Sequence, residues 1–209
     1  MKRLLPILTL PLILFAGCTS VKQMSLVQGL ADSQPAIAYP EFVIQTGDEI
    51  SIYIQSLNSV ATQPFNVSGS YLVAQDGTID KPILKKVQVA GKTLEELKSH
   101  ITALVSEKVQ NAYVMASFVN TTISIFGEVN TPHRLAISKP ITIFEAIGAA
   151  NGVTRNANIK QVEVLRTENN EEKKIVLDLT SPSLYQSPAY YLLKSDVVFV
   201  RPKYPVLVK

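Results

Sequence analysis

Apolar and polar residues alternate through much of this chain after residue 41. In FVIQTGDEISIYI, residues 42–54, Ile50, Ile52 and Ile54 are separated by Ser51 and Tyr53. A period of two sends one face of a strand into a core and the other into water. Thr46-Gly47-Asp48 has turn chemistry: Gly47 permits unusual backbone angles and Asp48 can bond nearby backbone. Asp76-Gly77 stands between SGSYLVAQ and TIDKPIL, which predicts a hairpin. Val87 and Val89 alternate in the strand after it, which Gly91 ends.

The period then changes to that of a helix. Thr93 with Glu96 three residues on forms a capping box. Leu94, Leu97, Ile101, Leu104 and Val105 make one apolar stripe, and Lys108 suits the dipole at the far end. AYVMASFV returns to strand character. The first unit, 41–119, therefore reads β-β-β-α-β.

A second unit, 121–202, reads β-α-β-β-β. Ile123 and Ile125 share a strand face that Gly127 interrupts. Thr142 and Glu145 repeat the capping box before a short helix that buries Ile143, Ala146, Ile147 and Ala150. Asn151-Gly152 supplies the left-handed stop. Val162 and Val164, a charged turn region at Asn169-Asn170, then Ile175 and Leu177 read as a hairpin, and LLKSDVVFVRP closes the unit with a strand. TGDEISIYI and KSDVVFVRP echo each other, but any turn-to-strand junction produces such an echo, and it is not read as a repeat.

The start of the chain follows another logic. Lys2 and Arg3 precede an apolar run, Leu4 to Ala16, that contains Pro6 and Pro11. A membrane-spanning helix needs about 20 apolar residues; this shorter run fits a signal peptide, residues 1–17. It ends in Phe15-Ala16-Gly17-Cys18, which resembles the bacterial lipobox. That resemblance implies cleavage between Gly17 and Cys18 and acylation of the Cys18 thiol. Several acyl chains anchor a protein stably where one does not. Thr19 in place of Asp favours the outer membrane. The alternative, a buried free thiol, would need folded structure around a segment that resembles a leader. Residues 18–40, with Pro35 and Pro40, read as an acylated tether, the alternative being that part of the stretch forms an ordered edge segment.

The formal charge is +3, from 20 basic and 17 acidic residues. Without Lys2 and Arg3 it is 18 basic against 17 acidic, or +1, which argues against nucleic-acid binding. The two histidines, His100 on the polar side of the first helix and His133 in a turn, read as surface residues. One cysteine and two histidines give no zinc set. No phosphate loop occurs, and Ser181-Pro182-Ser183 lacks a nucleophile elbow. No catalytic residue, metal or cofactor is expected.

The order of these motifs resembles the outer-membrane polysaccharide export (Wza-like) family. Phe42-Val43-Ile44 with Gly47-Asp48-Glu49-Ile50-Ser51-Ile52 matches the opening pattern of its export domain. Val73, Asp76-Gly77-Thr78-Ile79 and Pro82 match the next pattern, and Val87, Val89-Ala90-Gly91-Lys92-Thr93 and Glu95-Glu96 a third. The second unit is similar to the soluble-ligand-binding β-grasp (SLBB) domain through Gly127-Glu128-Val129 with Pro132, Thr142 with Ala146-Ile147, Ala150 and Gly152, and Asp196 with Val198 and Val200. Lys85, His133, Asn151 and Ser195 each stand where the family often has Gly. Altered turns are expected at His133 and Ser195.

The resemblance implies an α+β chain: a β-rich export domain followed by one β-grasp domain. It implies a lipid-anchored, periplasm-facing outer-membrane protein that forms a homo-oligomeric ring and guides capsule, exopolysaccharide or biofilm matrix polysaccharide. An inner-membrane polysaccharide co-polymerase is the expected partner. Large family members finish with a long amphipathic pore helix, whereas the tail here, 203–209, is short. A separate outer-membrane exit protein, most simply a β-barrel, is therefore expected. The alternative is a monomeric carbohydrate- or peptidoglycan-binding lipoprotein, for which Tyr71, Tyr113, Tyr190 and Tyr191 are candidate sugar contacts.

Overall fold

The computed structural model describes residues 26, 38–55, 69–81, 85–106, 111–168 and 171–204. Gly17, Cys18, Pro82, Lys108 and the Asn169-Asn170 turn lie outside the described residues. Among the described residues the architecture is mixed α and β, with mostly strands and two helices.

The first unit contains β1 (Glu49–Gln55), β2 (Gly69–Leu72), β3 (Thr78–Lys81), β4 (Lys85–Gln88), α1 (Leu94–Ser106) and β5 (Tyr113–Val119). β1 lies between β2 and β5, antiparallel to both. Its alternation works as its sequence predicts: Ile50, Ile52 and Ile54 are buried, with Ser51 and Tyr53 on the other face. α1 lays Leu97, Ile101 and Val105 against the same core. Full burial of each such side chain is worth about 1.5–3 kcal/mol. The capping box is present: Glu96 N–H donates to Thr93 Oγ1 at 3.2 Å, and Thr93 N–H donates to Glu96 Oε2 at 2.8 Å.

The unit has four strands before its helix where the sequence predicts three. Asp76-Gly77 does turn the chain, with Gly77 N–H donating to Ala74 O and Ala74 N–H to Thr78 O. The strands it joins do not pair as a hairpin. β2 joins β1, whereas β3 pairs with β4. The reason lies in Gly77: its φ is +76°, and its carbonyl accepts from both Val89 and Ala90 N–H. This ties the turn to the end of β4 and swings β3 away from β2.

The second unit contains β6 (Thr122–Gly127), β7 (His133–Ala136), β8 (Ile141–Thr142), α2 (Ile143–Ala149), β9 (Ala157–Glu168), β10 (Glu171–Leu177), a 3₁₀ turn (Pro182–Gln186), β11 (Tyr191–Leu192) and β12 (Val197–Pro202). One sheet runs β10-β9-β12-β6-β7, with β12 parallel to β6 and antiparallel to β9. The predicted β9–β10 hairpin is present, with Val164 opposite Ile175 and Val162 opposite Leu177. α2 buries Ile143, Ala146 and Ile147 and carries its full capping box. At Gly127, φ is +86° and a Cβ would stand 2.2 Å from Val200 O. No larger residue fits where β6 meets β12.

Three strands, β7, β8 and β11, and the 3₁₀ turn exceed the predicted set. His133 is not a turn residue but the first residue of β7, opposite Ile125. Its Nδ1 lies 2.8 Å from Thr131 O. Ser195 keeps the left-handed backbone a Gly would adopt, with φ +67°, and Lys85 and Asn151 do the same at +58° each. The turns at these three positions are retained rather than altered.

Candidate functional site

The two units meet along a seam crossed by the strap 38–44. Ile44 belongs to the first core, held by Ile44 N–H to Lys92 O and Gly91 N–H to Ile44 O. Phe42, two residues earlier, belongs to the second core. Phe118 packs against both, with its ring 5.8 Å from that of Phe42.

Two aspartate turns face each other here. Asp48 Oδ2 accepts Gln45 N–H at 2.7 Å, and Asp196 Oδ2 accepts Leu193 N–H at 2.7 Å. Each turn places a left-handed residue just before the aspartate, Gly47 or Ser195. The echo between TGD and KSD is thus a shared local turn. Lys194, in the second turn, donates to Asp48 Oδ2 in the first, and its ammonium stands 4.7 Å from the Phe118 ring centroid. Burial pushes the Lys194 ammonium below the ordinary lysine range, against the pull of Asp48.

Asp196 has a second function. Arg166 Nε donates to its Oδ1 at 2.9 Å and Nη2 to its Oδ2 at 2.6 Å, a bidentate pair buried on both sides. Arg166 also donates from Nη1 to Pro188 O at 3.0 Å and from Nη2 to Tyr191 O at 2.8 Å. Burial raises the Asp196 carboxyl, and the guanidinium opposes that rise. Every polar atom of the pair has a partner, the condition under which a buried charge pair is tolerated. The pair fixes the 188–196 segment over β9.

Along the seam lies a groove of about 230 Å³, with walls including Tyr39, Phe42, Leu94, Phe118, Lys139 and Pro140. Tyr39 Oη donates to Pro140 O at 2.5 Å. Beside the groove the Tyr39 ring meets Tyr191 at 5.2 Å, and Tyr191 meets Tyr190 at 5.0 Å. The Tyr39 and Tyr190 hydroxyls are pushed above the usual phenol range, chiefly by burial, so both remain protonated at neutral pH.

The predicted motif residues fall into distinct roles. Gly47, Gly77, Gly91, Gly127 and Gly152 all have positive φ. Asp76 binds Thr78 and Lys86. Thr93 caps α1, and Pro132 leads into β7. Asp48 and Asp196 come to the seam, where Thr93 also lines the groove and Gly91 holds the strap. Tyr113 lies at the far end of the first unit's exposed sheet face, opposite Gln55. Tyr191 touches the groove's Tyr39, Tyr190 lies behind Tyr191, and Tyr71 packs on the first core. His100 is exposed on α1. Among the described residues no three His, Cys, Asp or Glu side chains converge to hold a metal ion. Sequence reasoning missed Lys194 and Arg166; the KSD echo was the only available signal, and it pointed to a turn.

Two family models match in succession: the polysaccharide biosynthesis/export protein model at residues 36–119 and the SLBB domain model at 121–200. The EPS I polysaccharide export outer membrane protein EpsA of Ralstonia solanacearum is 29% identical over 174 residues, covering 79% of this chain and 44% of that protein. The capsule polysaccharide export protein BexD of Haemophilus influenzae is 27% identical over 114 residues, covering 52% of this chain and 28% of that protein. The chain spans less than half the length of these curated relatives.

Proposed function

Because the chain belongs to the Wza-like polysaccharide export family, we propose that it is an outer-membrane lipoprotein forming part of a periplasm-facing conduit for capsule, exopolysaccharide or biofilm matrix polysaccharide. The observation that carries this reading is the export module followed directly by an SLBB module. The relatives' names, which are those of export proteins rather than enzymes, support it. The role is architectural: the strap, Phe118 and the Asp48–Lys194 pair join the two modules so that they turn together as one block.

In this reading Cys18 carries the acyl anchor and copies close into a ring. The outer face of the five-stranded sheet supports packing between copies. Phe126 and Phe199 lie opposite each other there, with Leu165 and Val176 also exposed. An inner-membrane polysaccharide co-polymerase feeds the ring, and an outer-membrane exit protein receives the polymer. Deleting the gene and restoring it tests the reading. Cells without the chain should lose surface polysaccharide and retain polymer inside, and the wild-type chain should restore export. Unchanged surface polymer in the deletion strain would reject it.

A further inference from the structure

The 182–192 segment carries three tyrosine rings in contact. Tyr185 lies 5.0 Å from Tyr190, and Tyr190 lies 5.0 Å from Tyr191. Phe144 of α2 meets Tyr190 at 6.4 Å, and the strap adds Tyr39 at the other end. Tyr39–Tyr191 and Tyr190–Tyr191 meet steeply, at 75° and 73°, and Tyr185–Tyr190 is tilted at 47°. Beneath them Ile143, Leu184, Ala189 and Leu192 are buried, and Tyr190 packs partly on that core. The tyrosines are half-buried or exposed, with Tyr39 at 51%.

Tyrosine suits a surface that is apolar at one end and wet at the other. Among the described residues no hydrogen bond holds the hydroxyls of Tyr185, Tyr190 or Tyr191, and no buried side-chain polar atom lacks a partner. The three residues are half-buried, so their hydroxyls are neither bonded to a described partner nor sealed from solvent. Glu145, an exposed residue, lies beside the row: its Oε2 accepts from Thr142 N–H and Oγ1, and among the described residues no hydrogen bond reaches its Oε1. A pyranose ring has the matching duality, an apolar C–H face edged by hydroxyls.

We propose that Tyr39, Tyr185, Tyr190 and Tyr191, with Glu145 and the adjoining seam groove, form a binding track for a chain of uncharged pyranose units. The tyrosine rings take the C–H faces of successive sugars, and the phenol hydroxyls and the free oxygen of Glu145 take their hydroxyl or N-acetyl groups. A polyuronate would bring its carboxylates against Glu145 and bind less well. The natural ligand rests on the export reading; the chemistry of the site does not.

The test uses the full chain with isotope-labelled tyrosine rings, titrated in solution with cellohexaose, chitohexaose and an oligouronate. Tyr39, Tyr185, Tyr190 and Tyr191 should shift saturably with a neutral or N-acetylated hexasaccharide, and Tyr113, 64% exposed on the other unit, should not. Tyr39→Ala should weaken binding several-fold, up to about tenfold. Tyr190→Phe, which keeps the ring, should weaken it less. Silence of the four rings toward all three probes overturns the track, as does shift confined to Tyr113 or tighter binding of the oligouronate. Silent rings with export lost on gene deletion reject the track alone. Responsive rings with export intact reject the export reading alone.

Discussion

Lys194 reaches Asp48 across 146 positions of sequence and donates to its carboxylate at the seam between the two units. The contact is more than a surface ion pair. The side chains are 7% and 18% exposed, and Asp48 is already committed to Gln45 N–H. One carboxylate thus closes a turn in the first unit and holds the matching turn of the second, with the Phe118 ring beneath the ammonium.

Removing one member of this pair should cost more than an exposed bridge would. Asp48→Asn keeps a turn-bonding side chain but leaves Lys194 buried without its counter-ion. It should lower stability in urea by about 2–4 kcal/mol. Lys194→Met keeps the stem on Phe118 and removes the charge, so its cost should be about 1–2 kcal/mol. The double variant should lose less than the sum. Strict additivity would show that the pair does not join the units.

Lys85 and Ser195 adopt left-handed backbone at +58° and +67°. That conformation costs a residue with a Cβ about 1–2 kcal/mol. Glycine avoids that cost but gains unfolded-chain entropy worth about 0.5–1 kcal/mol. Lys85→Gly and Ser195→Gly should therefore each raise stability, by ~0.5–1 kcal/mol net. Destabilisation by both in urea melts would show that the side chains, not the turns, matter at these positions.

Asp76 is held well below the ordinary carboxylate value of 3.8, to about 2, by the Thr78 hydroxyl first, then Lys86 and the Thr78 backbone. A carboxyl that titrates lower folded than unfolded stabilises the fold above 3.8 and loses that contribution as pH falls through about 2. Carboxyl-carbon NMR should place its midpoint near 2. Lys86→Ala should move it upward. A midpoint near 3.8 in the wild-type chain would contradict the turn geometry.

Cys18→Ser should leave an unprocessed chain with its leader attached and no acyl chains, read by intact-mass measurement and metabolic lipid labelling. A processed chain still fractionating with the outer membrane would reject acylation at Cys18.

Much of the fold was legible because it is written in local periods. Both capping boxes, the alternation of β1 and the β9–β10 hairpin need only neighbours in sequence. β8 and β11 were not legible, since two residues carry no period. β7 was hidden because His133-Arg134-Leu135-Ala136 alternates only weakly in hydropathy and is recruited by its pairing with β6. The Asp76-Gly77 turn was read correctly as a turn but not as a parting of strands, because Gly77 is captured by residues 89 and 90. At the seam, Asp48 and Asp196 were visible as turn residues. Their charged partners Lys194 and Arg166 were not, because an ion pair between distant positions leaves no mark on either local pattern.

The central claim, that copies of this chain assemble into part of an export conduit, is tested most directly by the mass of the acylated full-length protein extracted from outer membranes in mild detergent. Native mass spectrometry should find a closed ring, a single multiple of the acylated chain mass. Phe126→Glu with Phe199→Glu should reduce it to monomers without unfolding it. A monomer at every concentration, from membranes that are actively exporting polymer, would contradict the claim and favour a solitary carbohydrate-binding lipoprotein.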